Sequence, residues 1–436
     1  MNTSISQTAE TGHPSPLRYA GCDSTTAIRY RSDVDAVRVF PCKTETHDDA
    51  ETVFERAGPR AQLIGEPEKM TAAILTCGGL CPGLNDVLRG LVMSLSHHYG
   101  VPRILGIRYG YAGLTDGGLS PWELTPDSVD EIHRDGGTML GTSRGAQNVG
   151  EMADWILKQG ITQLYIIGGD GTQRGALELS QELARRARPV NVIGIPKTVD
   201  NDIMWVDQSF GYDTAVEIAA RVISDAHVEA RSTERGVGIV KVMGRDSGFI
   251  AAGAAIASQE ANVVLVPEVE FDFDGPNGLL TYLEKRLERK DHVVIVVAEG
   301  AGQRHFKQQG REVKDASGNV LHRDIGELLC ERIHRHFQTL EKPVKLKYLD
   351  PGYSVRSAPA CATDRIYCTR LAHAAVHAAM AGRTAMMVSR WSGHYVHVPL
   401  ELVTKGRRRI DPTGSLWRTV LEATGQPCLN HGEGRC

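Results

Sequence analysis

The sequence predicts an α/β chain of two doubly wound, Rossmann-like domains with parallel sheets. Apolar, β-branched runs of strand length recur at 72–76, 164–167, 190–195, 237–242, 263–266 and 293–297. Such near-continuous runs belong to strands buried on both faces. Helix-like segments lie between them, at 85–97, 175–186, 215–230 and 279–289, and alternation of strand with helix is the pattern of parallel sheets. Many of the 46 glycines stand in pairs directly after the apolar runs, where tight strand-to-helix turns need them.

Length and composition bound what surrounds this frame. A chain of 436 residues is too long for one ordinary core, so two domains are expected. Hydrophobic residues make up 41% and charged residues 23%, an ordinary globular balance. A net charge of -4 argues against a nucleic-acid polycation. Cys77 and Cys81 have no second pair or flanking His to complete a zinc site. The nine cysteines are odd in number and do not form a disulfide pattern, so a reduced, cytoplasmic protein is expected. No apolar stretch of signal-peptide or membrane-spanning length occurs, and no membrane partner is expected. Residues 1–70 read as a polar extension, with a strand-like piece at 34–40. The tail carries Lys405-Gly-Arg-Arg-Arg409, which reads as a solvated charged face, with an anion or partner contact as the alternative.

Open parallel sheets bind ligands at the carboxyl ends of their strands, so the residues after each run carry the functional argument. Gly-Gly-Leu-Cys-Pro-Gly-Leu-Asn at 78–85 follows the first run and enters a helix. Glycines admit an anion close to the backbone, and a helix start offers free N–H groups; a purely structural turn is the alternative. Gly-Gly-Asp-Gly-Thr at 168–172 follows the second. A carboxylate inside a phosphate loop makes sense with a divalent cation between them, and Mg²⁺ favours one or two carboxylates plus phosphate oxygens; a plain helix cap is the alternative. Pro-Lys-Thr-Val-Asp-Asn-Asp at 196–202 follows the third and places two carboxylates beside a Lys and a Thr, a source for the base that a hydroxyl acceptor needs. Met-Gly-Arg at 243–245, Glu299, and Tyr353 with Arg356 close the series, and Arg binds phosphate bidentately.

Taken together and in this order, these motifs, with Gly-Thr-Ser-Arg-Gly at 141–145, Phe-Gly-Tyr-Asp-Thr-Ala at 210–215 and Asp-Pro-Gly-Tyr-Ser-Val-Arg at 350–356, resemble the phosphofructokinase family from about residue 71 to 393. The extension and the Leu-Cys-Pro-Gly-Leu-Asn form look like its plant-type, long branch. The resemblance implies a homo-oligomeric kinase that moves phosphate from ATP to fructose 6-phosphate. It implies Asp200 as catalytic base, with Lys197 and Arg245 offsetting charge, and Thr198, Val199 and Asp202 beside the base at the sugar. Met243, Gly244, Arg245, Glu299, Tyr353 and Arg356 would form the sugar-phosphate pocket. Gly79, Arg144, Gly145, Gly169, Gly171 and Thr172 would line the nucleotide phosphates, with Asp170 as the Mg²⁺-linked carboxylate. It also implies residues 71–209 plus about 355–392 as the donor domain, 210–354 plus 393–436 as the sugar-phosphate domain and tail, and the active site between the two.

The family divides between ATP and pyrophosphate users. Gly171 is the ATP-type residue, since pyrophosphate enzymes place there an Asp that blocks the nucleotide's α-phosphate. Lys197 is the residue typical of pyrophosphate enzymes. Lysine does not fill the α-phosphate site and Asp does, so ATP is the expected donor and pyrophosphate the alternative. Another acceptor, such as sedoheptulose 7-phosphate, stays open. A non-catalytic sugar-phosphate-binding relative usually loses the base or the metal carboxylate, and this chain keeps Asp170, Asp200 and Asp202. Many bacterial relatives have an Arg seven residues before the Met of Met-Gly-Arg; here that position is Gly236, with Arg235 one residue earlier.

Overall fold

A computed structural model describes residues 1–8, 12–17, 30–40, 52–186, 188, 190–306 and 321–430 of the chain. The chain forms two compact units. Among the described residues no helix is long and apolar enough to cross a membrane.

The first unit comprises Met1–Thr198, Ile203–Gly211 and Ser357–Arg407. Its main sheet has nine strands, in the order Ala36–Arg38, Val53–Arg56, His394–Pro399, Met386–Trp391, Asn191–Pro196, Gln163–Gly168, Thr71–Thr76, Arg103–Ile107 and Trp122–Glu123. The five from Met386–Trp391 to Arg103–Ile107 are parallel, and the flanking strands pair antiparallel. Gln163–Gly168 and Asn191–Pro196 are buried at every position, which is why they appear in the sequence as unbroken apolar runs. Strand order reverses at the neighbours Thr71–Thr76 and Gln163–Gly168. Doubly wound sheets bind ligands outside the carboxyl ends at such a reversal, so the loops after Thr76 and Gly168 occupy the favoured place.

The second unit comprises Val199–Asp202, Tyr212–Arg356 and Arg408–Cys436. Its sheet is wholly parallel, in the order Val263–Leu265, His292–Ala298, Gly236–Val242, Lys345–Leu349. Val237, Ile239, Val293, Ile295 and Val297 pack on Leu283, Leu329, Ile333 and Phe337 from the helices Leu279–Arg289 and Ile325–Thr339. The carboxyl ends of Gly236–Val242 and His292–Ala298 deliver 243–245 and Glu299.

The expected domain borders differ from the structure in three ways. Residues 1–70 include strands integral to the first unit, because Phe54 is fully buried and meets Trp205 and Trp391 edge-on at 5.8 and 6.3 Å. Residues 393–407 belong to the first unit, because His394–Pro399 hydrogen-bonds along Met386–Trp391. Residues 199–202, expected in the donor domain, count with the second unit.

A buried charge cluster fastens the N-terminal strands. Glu55 Oε1 accepts from Arg60 at 2.7 Å and from Arg383 at 2.8 Å; both guanidiniums also reach Asp33. Burial alone would raise the Glu55 carboxyl, but His397 and Arg383 hold it well below the usual range. Removing one partner of a buried pair leaves the other charge uncompensated, so Glu55→Gln is expected to destabilise the chain by ~3 kcal/mol or more. Because the folded pKa is depressed, this contribution is present at neutral pH and fades as pH falls below the ordinary Glu range. Urea unfolding of both proteins at pH 7 checks this; equal midpoints would contradict it.

Candidate active site

In the first unit the glycine loops are laced to one another. Thr142 Oγ1 donates to Gly78 O at 2.7 Å, the Gly78 amide donates to Ser143 O at 3.1 Å, and Thr76 Oγ1 donates to Gly141 O at 2.7 Å. Gly78 has φ +84°, a conformation that favours glycine. Lys197 is buried and donates from Nζ to Gly79 O at 2.6 Å. A methyl group on Gly79 would lie 3.4 Å from Arg144 Nη2, so the backbone there runs between a lysine and an arginine. Arg144 and Gly145 are themselves exposed. The loops after three adjacent features (78–79, 141–145 and 168–172) thus surround one glycine-lined surface.

Asp170 is the first residue of the helix Asp170–Arg185, where free N–H groups and the helix dipole favour anions. Gln173, fully buried, donates to both Gly168 O and Ile195 O, tying the ends of two strands to this helix. Tyr111 Oη donates to Thr172 O at 2.7 Å. A methyl group built on Gly171 would meet nothing within 4 Å: the space beside it is open. The Asp170 carboxylate accepts from Arg174 at 2.5 Å and from Arg407 at 3.3 Å. Asp170 offers one hard oxygen ligand beside the glycine loops, a donor type that suits Mg²⁺. Arg407 is the residue that sequence reasoning missed here. Its signal was the basic run 405–409, read as a solvated face; the structure turns one member of that run inward to a carboxylate.

In the second unit Asp200 is densely surrounded by protein yet keeps some access to solvent. Burial, and then the negative charges of Asp202 and Glu299, push its carboxyl well above the usual range; the Arg245 backbone amide opposes this. Asn201 takes φ 55°, a left-handed conformation that Asn tolerates better than most residues. Ser247 Oγ donates to Asp200 O at 2.9 Å, and the Arg408 amide donates to Asp202 O at 2.8 Å, so both ends of the Asp-Asn-Asp turn are held. Gly244 has φ +131°, and any side chain on Gly300 would collide with Arg245 O. These two glycines let the 243–245 and 299–300 turns pack together. Next to them a cleft of about 190 Å³ is lined by Arg245, Glu299, His322 and Arg323, with Lys241 and Asp324.

The remaining predicted residues take varied positions. A methyl on Gly352 would meet Met243 at 3.9 Å, so the short helix Gly352–Ser357 begins beside the 243–245 turn. On it Tyr353 is 84% exposed, and its ring lies 5.2 Å from the Arg356 guanidinium. Thr198 is half-buried, its carbonyl accepting from Ser209, and Val199 is buried. Arg235 lies 5.4 Å over the Phe337 ring.

The family described as Phosphofructokinase matches residues 71–379. An ATP-dependent 6-phosphofructokinase of Borreliella burgdorferi is 48% identical over 88% of this chain and 87% of its own. One of Amycolatopsis methanolica is 51% identical over 86% and 83%, and ATP-dependent 6-phosphofructokinase 1 of Arabidopsis thaliana is 45% identical over 95% and 88%. Among solved structures, a pyrophosphate-dependent phosphofructokinase of Nitrosospira multiformis aligns with TM-score 0.67 at 20% identity, over 84% of this chain and 95% of its own. At that identity the likeness is one of fold.

The carboxylate grouping around Asp200 generates a direct test. Asp202→Asn removes one of the charges that raise the Asp200 carboxyl, so Asp200 should ionise at a lower pH than in the wild type. Carboxyl titration by infrared difference spectroscopy reads this; an unmoved titration would show that Asp202 does not act on Asp200.

Proposed function

The chain belongs to the phosphofructokinase family, and from that premise we propose that it is an ATP-dependent 6-phosphofructokinase, transferring the terminal phosphoryl of ATP to the 1-hydroxyl of fructose 6-phosphate to give fructose 1,6-bisphosphate in glycolysis. The observation that carries the choice of donor is the open space at Gly171. An Asp side chain there would project into it and repel an α-phosphate; glycine leaves it clear. Lys197, the residue that fits a pyrophosphate donor, directs its ammonium to the Gly79 carbonyl and so shapes the cradle whichever donor binds. The three relatives above carry ATP in their names.

The residues then divide the work. Loop amides at 79, 145, 169, 171 and 172, with Arg144, hold the donor's phosphates, and Asp170 would hold Mg²⁺. The cation, when bound, neutralises charge on the donor phosphates. Met243, Gly244, Arg245, Glu299, Tyr353 and Arg356 hold the sugar phosphate, beside Thr198, Val199 and Asp202. Asp200 accepts the proton from the 1-hydroxyl as it attacks phosphorus. A carboxyl raised toward neutral pH is a stronger base than an ordinary aspartate while still ionising in the working range. Arg245 and Lys197 offset the negative charge of the transition state. Lys197 and Asp200 are three residues apart, so covalent geometry limits their Cα separation to roughly 11 Å. We assign the working enzyme a homo-oligomeric state, as the family resemblance implies.

Asp200→Ser should lower kcat by about 10² or more with the fold intact, the scale of general-base catalysis; near-normal turnover in a coupled assay refutes the assignment. Gly171→Asp should keep its thermal stability, since the new side chain meets open space at a helix N-terminus that favours anions. It should lose ATP-dependent activity. Undiminished ATP kinetics would defeat the donor argument.

A further inference from the structure

His322 has no part in the proton transfer or in the sugar-phosphate contacts assigned above, yet its ring touches the turn that carries Arg245. His322 Nε2 donates to Arg245 O at 3.1 Å. A carbonyl can only accept, so the hydrogen sits on this ring nitrogen. The side chain is half-buried and lines the cleft of about 190 Å³ together with Arg245, Glu299 and Arg323.

Arg245 is met through its backbone on both sides, and all the groups concerned belong to the second unit. Its amide bonds the Asp200 carboxyl and opposes the effects of burial and of Asp202, Glu299 and Asp246 there. Its carbonyl accepts from His322. The preceding carbonyl, Gly244 O, accepts from the Gly300 amide at 3.1 Å, and the absence of a side chain on Gly300 lets the Arg245 carbonyl lie against it. The 243–245 turn is thus gripped by the 299–300 turn and by an imidazole.

The imidazole is held in register by its neighbours. Gln303 Nε2 donates to Glu299 O at 3.1 Å and to Arg323 O at 3.0 Å, while its Oε1 accepts from the Arg323 amide at 3.1 Å. One side-chain amide therefore ties residue 323 to residue 299. Asp324 caps the helix Ile325–Thr339, accepting from the Gly326 and Glu327 amides at 2.8 and 3.1 Å, and pairs with Lys241 at the cleft. With the two following residues fixed in this way, His322 is delivered to the Arg245 carbonyl.

We infer that His322 is a positioning residue: by holding the Arg245 carbonyl it keeps the Arg245 amide on Asp200 and the 243–245 turn at the wall of the acceptor cleft. This rests on the reading of Asp200 as the base and of 243–245 as part of the acceptor pocket. A carboxylate that loses a donated hydrogen bond holds its proton more tightly, so removing the imidazole acts on Asp200 at one remove, through a single residue of backbone.

The test compares the wild type with His322→Ala, His322→Asn and His322→Gln. Glutamine Nε2 stands as many bonds from the backbone as histidine Nε2 and carries hydrogens to donate; the asparagine amide is one bond shorter. Far-UV circular dichroism and thermal melting establish folding. The first readout is the Asp200 carboxyl titration by infrared difference spectroscopy without substrate, its band assigned by its loss in Asp200→Asn. The alanine and asparagine variants should titrate at a higher pH than the wild type, by about half a unit or more, and the glutamine variant close to it. The second readout is initial rates. His322→Ala and His322→Asn should lower kcat/KM for fructose 6-phosphate about 10-fold or more, with KM for ATP little changed, and His322→Gln should recover most of the loss. A wild-type titration in the folded alanine variant overturns the inference. So does a glutamine variant that behaves like alanine, or a moved titration with undiminished kcat/KM. Should the alanine variant fail to fold, the asparagine and glutamine variants decide, and equal behaviour of the two overturns it. A wild type without turnover on ATP and fructose 6-phosphate defeats the kinase reading, while the titration, which needs no substrate, still decides whether His322 acts on Asp200.

Discussion

One stretch of backbone, residues 196–202, has to satisfy three demands at once. It ends a central strand of the first sheet at Pro196, carries Lys197 beneath the glycine loop, and then crosses into the second unit for four residues before returning at Ile203. Asp200 therefore sits among the second unit's carboxylates while remaining tied by three peptide links to the first unit's cradle. The crossing is short, and a left-handed Asn201 turns it. Ser247 and the Arg408 amide hold its carbonyls. On its return the chain is anchored by Trp205, packed against Phe54 and Trp391. A slip of one residue in this segment would exchange Asp200 for Asn201 and remove that carboxylate.

The two units meet opposite electrostatic requirements. The first unit presents glycine loops, a helix N-terminus and guanidiniums, groups that suit an anion, with the Asp170 carboxylate among them. The second unit crowds carboxylates together, so that one of them resists losing its proton. Desolvation is the larger cause of that resistance and like charge the second, which means that the packing around Asp200, as much as its acidic neighbours, sets how readily that carboxyl ionises. Glycine makes both arrangements sterically possible, at 78 by a left-handed φ of +84° and at 244 and 300 by letting two turns stack.

The buried parallel strands were legible because burial on both faces leaves an unbroken apolar record, and the loops were legible because glycines and acids at strand ends are hard to explain by packing. Three things were not. The strand Val53–Arg56 has a mixed burial pattern, with Phe54 as its one fully buried side chain; it owes its place to pairing between Ala36–Arg38 and His394–Pro399 and to aromatic partners far off in sequence. The hairpin strand His394–Pro399 was expected with the second domain and tail, because its antiparallel pairing with Met386–Trp391 depends on a neighbour, not on its own composition. Arg407 looked like one of several solvated arginines, and nothing in the run 405–409 says which member faces inward. In each case the missing information was a long-range contact. The helix expected over 85–97 also shows the limit of local reading: it is α-helical over Leu84–Met93 and continues as a π-helical turn over Ser94–Tyr99.

The claim on which the account depends is that an open position at 171 makes this chain a nucleotide-dependent sugar-phosphate kinase. Initial rates of the purified full chain with fructose 6-phosphate and Mg²⁺, measured side by side with ATP and with pyrophosphate, test it most directly. The account predicts saturable turnover with ATP and little or none with pyrophosphate. Turnover with pyrophosphate and none with ATP would contradict it, and would return the choice of donor to Lys197.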